Sequence, residues 1–233
     1  MVEGRRELGH CLGAGFVAGT VFFCPEILPQ EELLSSFQWT GNPLFVSVPA
    51  AVYRKIAMRE GTEGVIAEII YMERRLEDIP LGEAPLLMVL ESVEKPGNLG
   101  AVLRSADAAG ADAVIVCDPL TDIYNPNLVR ASIGAVFTVP VVAASSEDVI
   151  PWLKAKGIRI LTAQLQDSSL YYNCDMRGGT AIVMGTESVG LSERWRQAAD
   201  EHIRIPMLGS LDSLNVSVSA AILLFEAVRQ RQA

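Results

Sequence analysis

The sequence predicts an α/β protein with a parallel sheet in its larger C-terminal part and a small α/β/α layer before it. After residue 85, apolar runs without polar alternation are separated by helical patterns, which is typical of a parallel sheet covered on both faces. Before it, shorter strand patterns alternate with helices. Half of the residues are apolar, so the chain can bury a substantial core.

The first part of the chain is expected to form a domain over residues 1–78. Its strands are predicted at 19–24, 43–47 and 64–70, and its helices at 3–14, 30–37 and 49–59. The charged stretch that follows carries Pro and Gly, so residues 79–85 are interpreted as a linker.

The second domain is expected over residues 86–233. Its strands are predicted at 86–91, 113–118, 138–144, 158–164, 180–185 and 202–207, and its helices near 98–109, 126–134, 146–156, 192–199 and 213–231. Ligands of such sheets bind at the carboxyl ends of the strands, so the residues after each strand are the candidates for a site.

Composition excludes several classes of function. No apolar run is long enough for a membrane-spanning helix, and the start lacks a hydrophobic signal segment, so we expect a cytoplasmic protein without a membrane partner. The four cysteines are isolated and only two histidines are present, so we expect buried reduced thiols and no metal site. A net charge of −9 argues against generic nucleic-acid binding.

The stretch ESVEKPGNLGAVLRSADAAGA (91–111) follows the first strand of the second domain. Pro96 and Gly97 turn the chain, and Asn98 is a candidate cap for the next helix. Arg104 is predicted to lie off the apolar stripe of that helix, and an ion pair with Asp107 would be its ordinary structural role. The predicted stripe is Leu99, Val102, Leu103 and Ala106.

The stretch GTESVGLS (185–192) follows the strand at 180–185. Gly185 at the strand end permits a close approach to the backbone, and Ser192 is a candidate helix cap. Glu187 is either a functional carboxylate or a solvated loop acid, and this window alone does not decide between them.

The stretch GSLDSLNVSVSAAILLFEAVRQR (209–231) predicts the final helix. Ser213 is its candidate cap, and Asn215 is expected in the first turn. For these two residues taken alone, capping of the final helix is a simpler interpretation than a functional role. The predicted apolar stripe is Leu214, Val218, Ala221, Ile222, Phe225 and Val228.

These three stretches, in this order and with IRIPM (203–207) between the last two, resemble the signature motifs of the SpoU (TrmH-type) RNA 2′-O-ribose methyltransferases of the SPOUT superfamily. The resemblance runs from about residue 85 to the end. VEGRRELGHCLGAG with REGTEGVIAEI (59–69) is similar to the ribosomal-protein-like substrate-binding domain of many such enzymes. TDIYNPNLVRASIGAVF (121–137) looks closest to the thiostrepton-resistance type that acts on rRNA.

The resemblance implies a C-terminal trefoil knot, S-adenosylmethionine (SAM) bound there in a bent conformation, and a homodimer with sites near the interface. Gly185, Ile205 and Leu214 match the family's cofactor-binding positions. The strand residues Thr162, Ala163 and Gln164 would flank the adenosine.

The implied reaction is methyl transfer to a ribose 2′-hydroxyl of structured RNA, with rRNA favoured. An arginine is normally locked in its protonated form, so at Arg104 orienting the hydroxyl and holding the neighbouring phosphate suits a guanidinium better than strict base catalysis. Glu187 matches an acid that would orient the arginine or nearby loops. The expected polar site comprises Asn98, Arg104, Glu187, Ser213 and Asn215.

Three alternatives remain open. The same chemistry could act on tRNA, although the tRNA-specific branch typically lacks the N-terminal domain. The chain could be a non-catalytic RNA-binding or ribosome-assembly factor, against which the intact polar residues count. A nucleotide-binding α/β enzyme is disfavoured because the phosphate-loop patterns are missing.

The first of the three stretches, at 91–111, carries Lys95-Pro96-Gly97 where many relatives have Asp-Pro-His. This form fits the resistance type.

Overall fold

The computed structural model describes residues 1–58, 60–61, 63–186 and 189–232, which form two β-sheets. The four-stranded sheet uses strands from the first 69 residues, and the seven-stranded sheet begins at residue 86.

The four-stranded sheet has the order β1-β4-β2-β3 and is mixed, because β2 and β3 pair in parallel while the other pairs are antiparallel. Every predicted element of this part is present with slightly different bounds, and the two-residue strand β1 was not predicted. The strands are β1 (Val2–Glu3), β2 (Ala18–Phe23), β3 (Leu44–Ser47) and β4 (Val65–Ile69), and the helices are α1 (Arg5–Gly13), α2 (Gln30–Ser36) and α3 (Ala50–Ile56).

The seven-stranded sheet has the order β7-β6-β5-β10-β8-β11-β9, and all its pairs are parallel, as predicted. Its strands are β5 (Leu86–Glu91), β6 (Ala113–Cys117), β7 (Val141–Ala144), β8 (Arg159–Ala163), β9 (Ser169–Leu170), β10 (Thr180–Met184) and β11 (Glu201–Arg204). The helices are α4 (Pro96–Ala109), α5 (Pro126–Ala131), α6 (Ala135–Thr138), α7 (Ser146–Ala155), α8 (Glu193–Ala198) and α9 (Val216–Arg231), and two 3₁₀ turns lie at Leu76–Asp78 and Tyr171–Asn173.

The strand predicted at 138–144 is shorter than expected. Gly134 adopts a left-handed conformation (φ 84°) that starts the short helix α6, and the strand begins only after Pro140. A proline has no N–H to give to the ladder, so it marks the strand's edge.

Helix α4 buries the predicted stripe, and Gly100 lets α5 approach it closely. A Cβ on Gly100 would lie 2.6 Å from Ala131 Cβ and 2.8 Å from the Ser132 backbone nitrogen. The glycine is therefore a packing requirement of the α4–α5 contact.

We expect Gly100→Ala to lower the free energy of unfolding by about 1–3 kcal/mol, because the added methyl overpacks against backbone. Gly97→Ala, in the same helix with nothing within 4 Å of its added Cβ, should leave stability unchanged or raise it by less than about 1 kcal/mol. Denaturant titration of both variants measures the difference, and equal stabilities would contradict the packing argument.

The apolar stripe predicted for the final helix was wrong. The buried apolar side chains of α9 are Val216, Ala220, Leu223, Leu224 and Ala227. The predicted stripe faces outward: Val218 and Phe225 are each 47% exposed. Apolar residues occupy both faces of this helix, so periodicity could not select the one that packs on the sheet.

The end of α9 is tied to the amino ends of the two central strands. The Arg231 guanidinium donates to the backbone oxygens of Ala84, Pro85, Met176 and Gly178, at 2.7–3.3 Å. Because β5 and β10 begin just after these residues, one side chain holds both strands and the last turn of the chain together.

The two sheets share packing around Phe16, whose ring meets Tyr124 and Phe137 edge-on. Arg74 lies over the Phe16 ring at 5.3 Å and donates to the Val139 oxygen. The first sheet and its helices therefore rest on the α5–α6 side of the second.

The four cysteines, Cys11, Cys24, Cys117 and Cys174, are buried and free, as expected. Burial raises the pKa of Cys11 and of Cys174 to about 12, so neither is a thiolate near neutral pH. Among the described residues no helix is long and apolar enough to cross a membrane, and no cluster of potential metal ligands is found.

Candidate functional site

The main cleft lies at the carboxyl ends of β8, β10 and β11, the edge where parallel sheets bind ligands. It has a volume of about 390 Å³. Its walls are formed by residues from the segments 163–166, 184–186, 189–191 and 203–214, with the first turns of α9 behind them.

Gly185 brings β10 into close contact with the loop that follows. A Cβ built on it would lie 2.2 Å from the Gly190 oxygen and 2.5 Å from the Leu191 nitrogen, so no side chain fits there. Thr186 and Gly190 form a β-bridge that closes the loop, and Gly190 has a φ of 70°. The two glycines thus fix the shape of one wall of the cleft.

Glu91, at the end of β5, holds the far side of the same loop. It is 8% exposed, and its Oε2 accepts from the Ser192 N–H at 2.8 Å, just before α8. Ser192 caps α8 by position, as predicted, but its side chain makes no capping bond. The positioning role of Glu91 was missed because nothing in the sequence indicates which amide a strand-end carboxylate will meet.

A second cavity of about 280 Å³ adjoins the cleft and shares Gly185, Thr186 and Val216 with it. Its remaining lining is Ser92, Val93, Glu94, Lys95 and Asn98. The stretches 91–98 and 185–186 therefore face the same space.

Asn98 and Asn215 meet at this place: Asn215 Nδ2 donates to Asn98 Oδ1 at 3.1 Å. Both capping predictions need correction. Helix α4 begins at Pro96, so Asn98 lies in its first turn and Lys95 is the N-cap. Helix α9 begins at Val216, and its cap is Asn215, not Ser213, because Asn215 Oδ1 accepts from the Ser217 N–H.

The residues expected to hold the cofactor mostly share the main cleft. Thr162 is not among the lining residues; it is fully buried, and its hydroxyl lies 2.6 Å from His202 Nδ1. The cleft is lined by Ala163, Gln164, Gly185, Ile205 and Leu214.

The residues expected to be catalytic are only partly brought together. Ser213 lines the cleft and lies two positions before Asn215 in the chain, and Glu187 lies outside the described residues. Arg104 is exposed on α4 and lines neither cavity. Asp107 accepts a hydrogen bond from the Thr138 hydroxyl at 2.6 Å, and no ion pair joins it to Arg104 among the residues described.

Two buried polar atoms in the cleft lack partners among the described residues: Gln164 Oε1 and Arg196 Nε. A buried acceptor and a buried donor left unpaired indicate a polar ligand between apolar walls. Together with the glycine that no side chain can replace, they fit an adenosine-type ligand such as SAM. Arg196 was not predicted as a site residue, because an arginine in a short helix has no distinctive sequence pattern.

The chain matches the model of the SpoU rRNA methylase family over residues 85–225. This range contains both cavities and the whole seven-stranded sheet.

Three relatives have informative names. A 23S rRNA (uridine(2479)-2′-O)-methyltransferase from Streptomyces viridochromogenes is 35% identical over 178 residues, 74% of this chain but 62% of the enzyme, less than two thirds of its length. The 23S rRNA (guanosine-2′-O-)-methyltransferase RlmB from Salmonella typhi is 43% identical over 176 residues, 72% of each chain. The SpoU methyltransferase AviRb from Streptomyces viridochromogenes, solved with AdoMet, is 30% identical with a TM-score of 0.88, covering 99% of this chain and 90% of that one.

Proposed function

Because the chain belongs to the SpoU rRNA methylase family, we propose that it transfers the methyl group of SAM to a ribose 2′-hydroxyl of ribosomal RNA. The observation that carries the proposal is the cleft walled by Gly185 at the carboxyl edge of the parallel sheet, joined to the Asn98–Asn215 pair. A substrate that belongs to the ribosome would place the enzyme in the cytoplasm.

The cofactor supplies an electrophilic methyl group when bound. It would be held by Ala163, Gln164, Gly185, Ile205 and Leu214. Their segments leave three neighbouring strands, so a rigid sheet would fix the direction in which the methyl group faces. Thr162, one position before the lining, would act by holding its strand against β11 through His202.

On the substrate side, Asn98 and Asn215 would hold the ribose by hydrogen bonds, with Ser213 beside them. The 2′-hydroxyl is a weak nucleophile, so alignment against the methyl group can supply much of the rate. Arg104 would hold the adjacent phosphate and orient the hydroxyl, since a guanidinium binds anionic oxygens in pairs. In this proposal, Glu187 would orient the Arg104 side chain.

The first 78 residues would bind the RNA, with residues 79–85 as a linker to the methyltransferase domain at 86–233. Support comes from the separate four-stranded sheet and from AviRb, which covers 99% of this chain, N-terminal part included. The shared packing around Phe16 would hold the RNA-binding part in one orientation toward the cleft.

RNA binding by a chain of net charge −9 must rely on few basic groups. The candidates are Arg5, Arg6, Arg54, Lys55, Arg104 and Arg130, with Arg59 outside the described residues. Arg5 is already paired with Glu32 at 2.7 Å, which lowers the number available for phosphates.

We therefore expect a shallow dependence of RNA affinity on salt and poor binding of unstructured RNA. The logarithm of affinity falls by about 0.7–0.9 per phosphate contact per decade of salt, so a few contacts give a small slope. Fluorescence titrations with a folded rRNA fragment and with a single-stranded control of equal length measure both quantities. Equal affinity for the two RNAs would contradict recognition of a folded shape.

The family fold further suggests that the C-terminal segment is knotted. After β11, at the outer part of the sheet, the chain returns to pack α9 against α4 and β5, crossing the edge at which β8 and β10 end. A return of this kind supports a passage through a preceding loop. An experimentally traced backbone over residues 160–216 tests it.

The exposed stripe of α9 supports a homodimer. Val218 and Phe225 are two turns apart on one face, and each leaves about half of its side chain in water. Helix α4, which carries Arg104, packs against α9, so an interface on this layer would bring that arginine toward the partner. Fully burying a side chain of this kind contributes about 1.5–3 kcal/mol, so covering the exposed half of each would contribute about half of that.

Light scattering should give about twice the chain mass of 25.2 kDa. Phe225→Glu should shift the population to monomers, because a carboxylate would be desolvated in the interface. Gln232→Glu, which adds the same charge at an exposed position after the helix, should leave the dimer intact. A monomeric wild-type protein with full activity would overturn the proposal.

The function is tested by mapping ribose methylation in rRNA from cells with and without the gene. A single 2′-O-methyl group that disappears with the gene is the expected result. Loss of a tRNA methylation instead would move the proposal to the tRNA enzymes, and no change in either RNA would favour a non-catalytic role.

A further inference from the structure

Arg196 is a cation of the cleft for which the described residues provide no side-chain partner. It lies in α8, lines the cleft, and buries its Nε–H without a hydrogen bond among the described residues. Its Nη2 is 4.0 Å from the position that a Cβ on Gly190 would take, so the guanidinium lies beside Gly190.

The neighbouring charged side chains have partners of their own. Arg204 donates to Ser168 Oγ at 3.4 Å, and Arg194 is paired with Glu147 at 2.7 Å. Asp212, which also lines the cleft, accepts from the Ser213 hydroxyl.

The Nε–H of Arg196 is therefore a donor without an acceptor among the described residues, on a side chain that is partly buried. A guanidinium held there is unfavourable unless an anionic acceptor reaches it, because a buried donor without a partner has lost its water. Its planar pair of N–H groups matches the two oxygens of a carboxylate.

From these contacts we infer that Arg196 binds the carboxylate of the cofactor's amino-acid group; the inference rests on the proposed function. The adenosine and sulfonium parts of SAM carry no anionic oxygen, so the amino-acid carboxylate is the group on the cofactor that a guanidinium recognises. Arg196 then distinguishes SAM from adenosine compounds that lack this group.

Gln164 complements this arrangement at the other end of the ligand. Its Nε2 donates to the Gln166 oxygen at 2.9 Å, which orients the amide and leaves the buried Oε1 free to accept. An acceptor suits an N–H of the adenine, whereas the donor at Arg196 suits the carboxylate.

An RNA phosphate offers the same kind of oxygens, so the experiment is done without RNA. Calorimetry measures the affinity of S-adenosylhomocysteine, which has the carboxylate, and of 5′-methylthioadenosine, which lacks the amino-acid group. We expect Arg196→Met to weaken S-adenosylhomocysteine by about 10- to 100-fold, the loss of one hydrogen-bonded charge, and to leave methylthioadenosine unchanged. Arg196→Lys, which keeps the charge but not the fork, should fall between the two proteins.

Arg194→Met, in the same helix but half exposed, is the matched control and should change neither affinity. A misfolded variant would lose both ligands together. In a variant that is folded, equal weakening of both ligands, or no weakening of either, overturns the assignment. If the wild-type protein binds neither compound nor SAM, the proposed function itself fails.

Discussion

Replacing Gly185 by alanine or valine is expected to abolish SAM binding, with affinity falling by about 100-fold or more. The added Cβ would stand 2.2 Å from a backbone oxygen of the facing loop, and backbone cannot move aside as a flexible side chain can. Gly190 and Leu191 would have to shift outward, which would change the wall that the cofactor contacts. Calorimetry with SAM measures the loss.

Gly209→Ala is the matched control, because an added Cβ there meets nothing within 4 Å. It lies in the segment after β11, close to the same cleft, and should bind SAM like the wild-type protein. Circular dichroism and thermal unfolding of the Gly185 variants establish that the sheet is still formed. Unchanged SAM affinity in a folded Gly185→Val protein would remove the cofactor assignment from this cleft.

Replacing Arg104 by alanine should lower turnover by about 10²–10³-fold and leave SAM affinity nearly intact. Arg104 is exposed and lines neither cavity, so its loss should not disturb the cofactor or the fold. Single-turnover methylation of an rRNA fragment, with SAM binding measured in parallel, tests both parts.

Arg104→Lys should recover only part of the rate, because an ammonium cannot bind a phosphate through a paired fork. Arg177→Ala removes another exposed arginine, whose partner is Asp175, and should have wild-type turnover. Wild-type turnover in Arg104→Ala would show that the chemistry lies on another residue.

The parallel sheet could be predicted because its strands are continuous apolar runs, such as LLMVLE and TAIVMG, that only a doubly covered sheet accommodates. The ends of elements were harder to predict. Asn98, Ser213 and Asn215 are all residues that can cap a helix, and only the fold shows that α9 starts after Asn215. For α9 itself, apolar residues on two faces left the buried face undetermined until the sheet was formed.

The candidate site was predictable where the backbone imposes a residue type. At Gly185 the facing backbone excludes every side chain, so a glycine at a strand end was informative. Roles that depend on distant partners could not be predicted. Glu91 meets an amide 101 positions along the chain, and Arg196 acquires its position only when α8 packs beside the cleft.

The four hydrogen bonds from Arg231 to backbone oxygens affect the order in which the two sheets can be completed during synthesis. At about 5–20 residues per second, translation takes roughly 7–30 s to proceed from Leu86 to Arg231. The first sheet, whose last strand ends at Ile69, can form early, whereas the hydrogen bonds that tie the central strands of the second sheet to α9 need Arg231, which is synthesised much later. The central strands of the second sheet are therefore fastened later in synthesis than any strand of the first sheet.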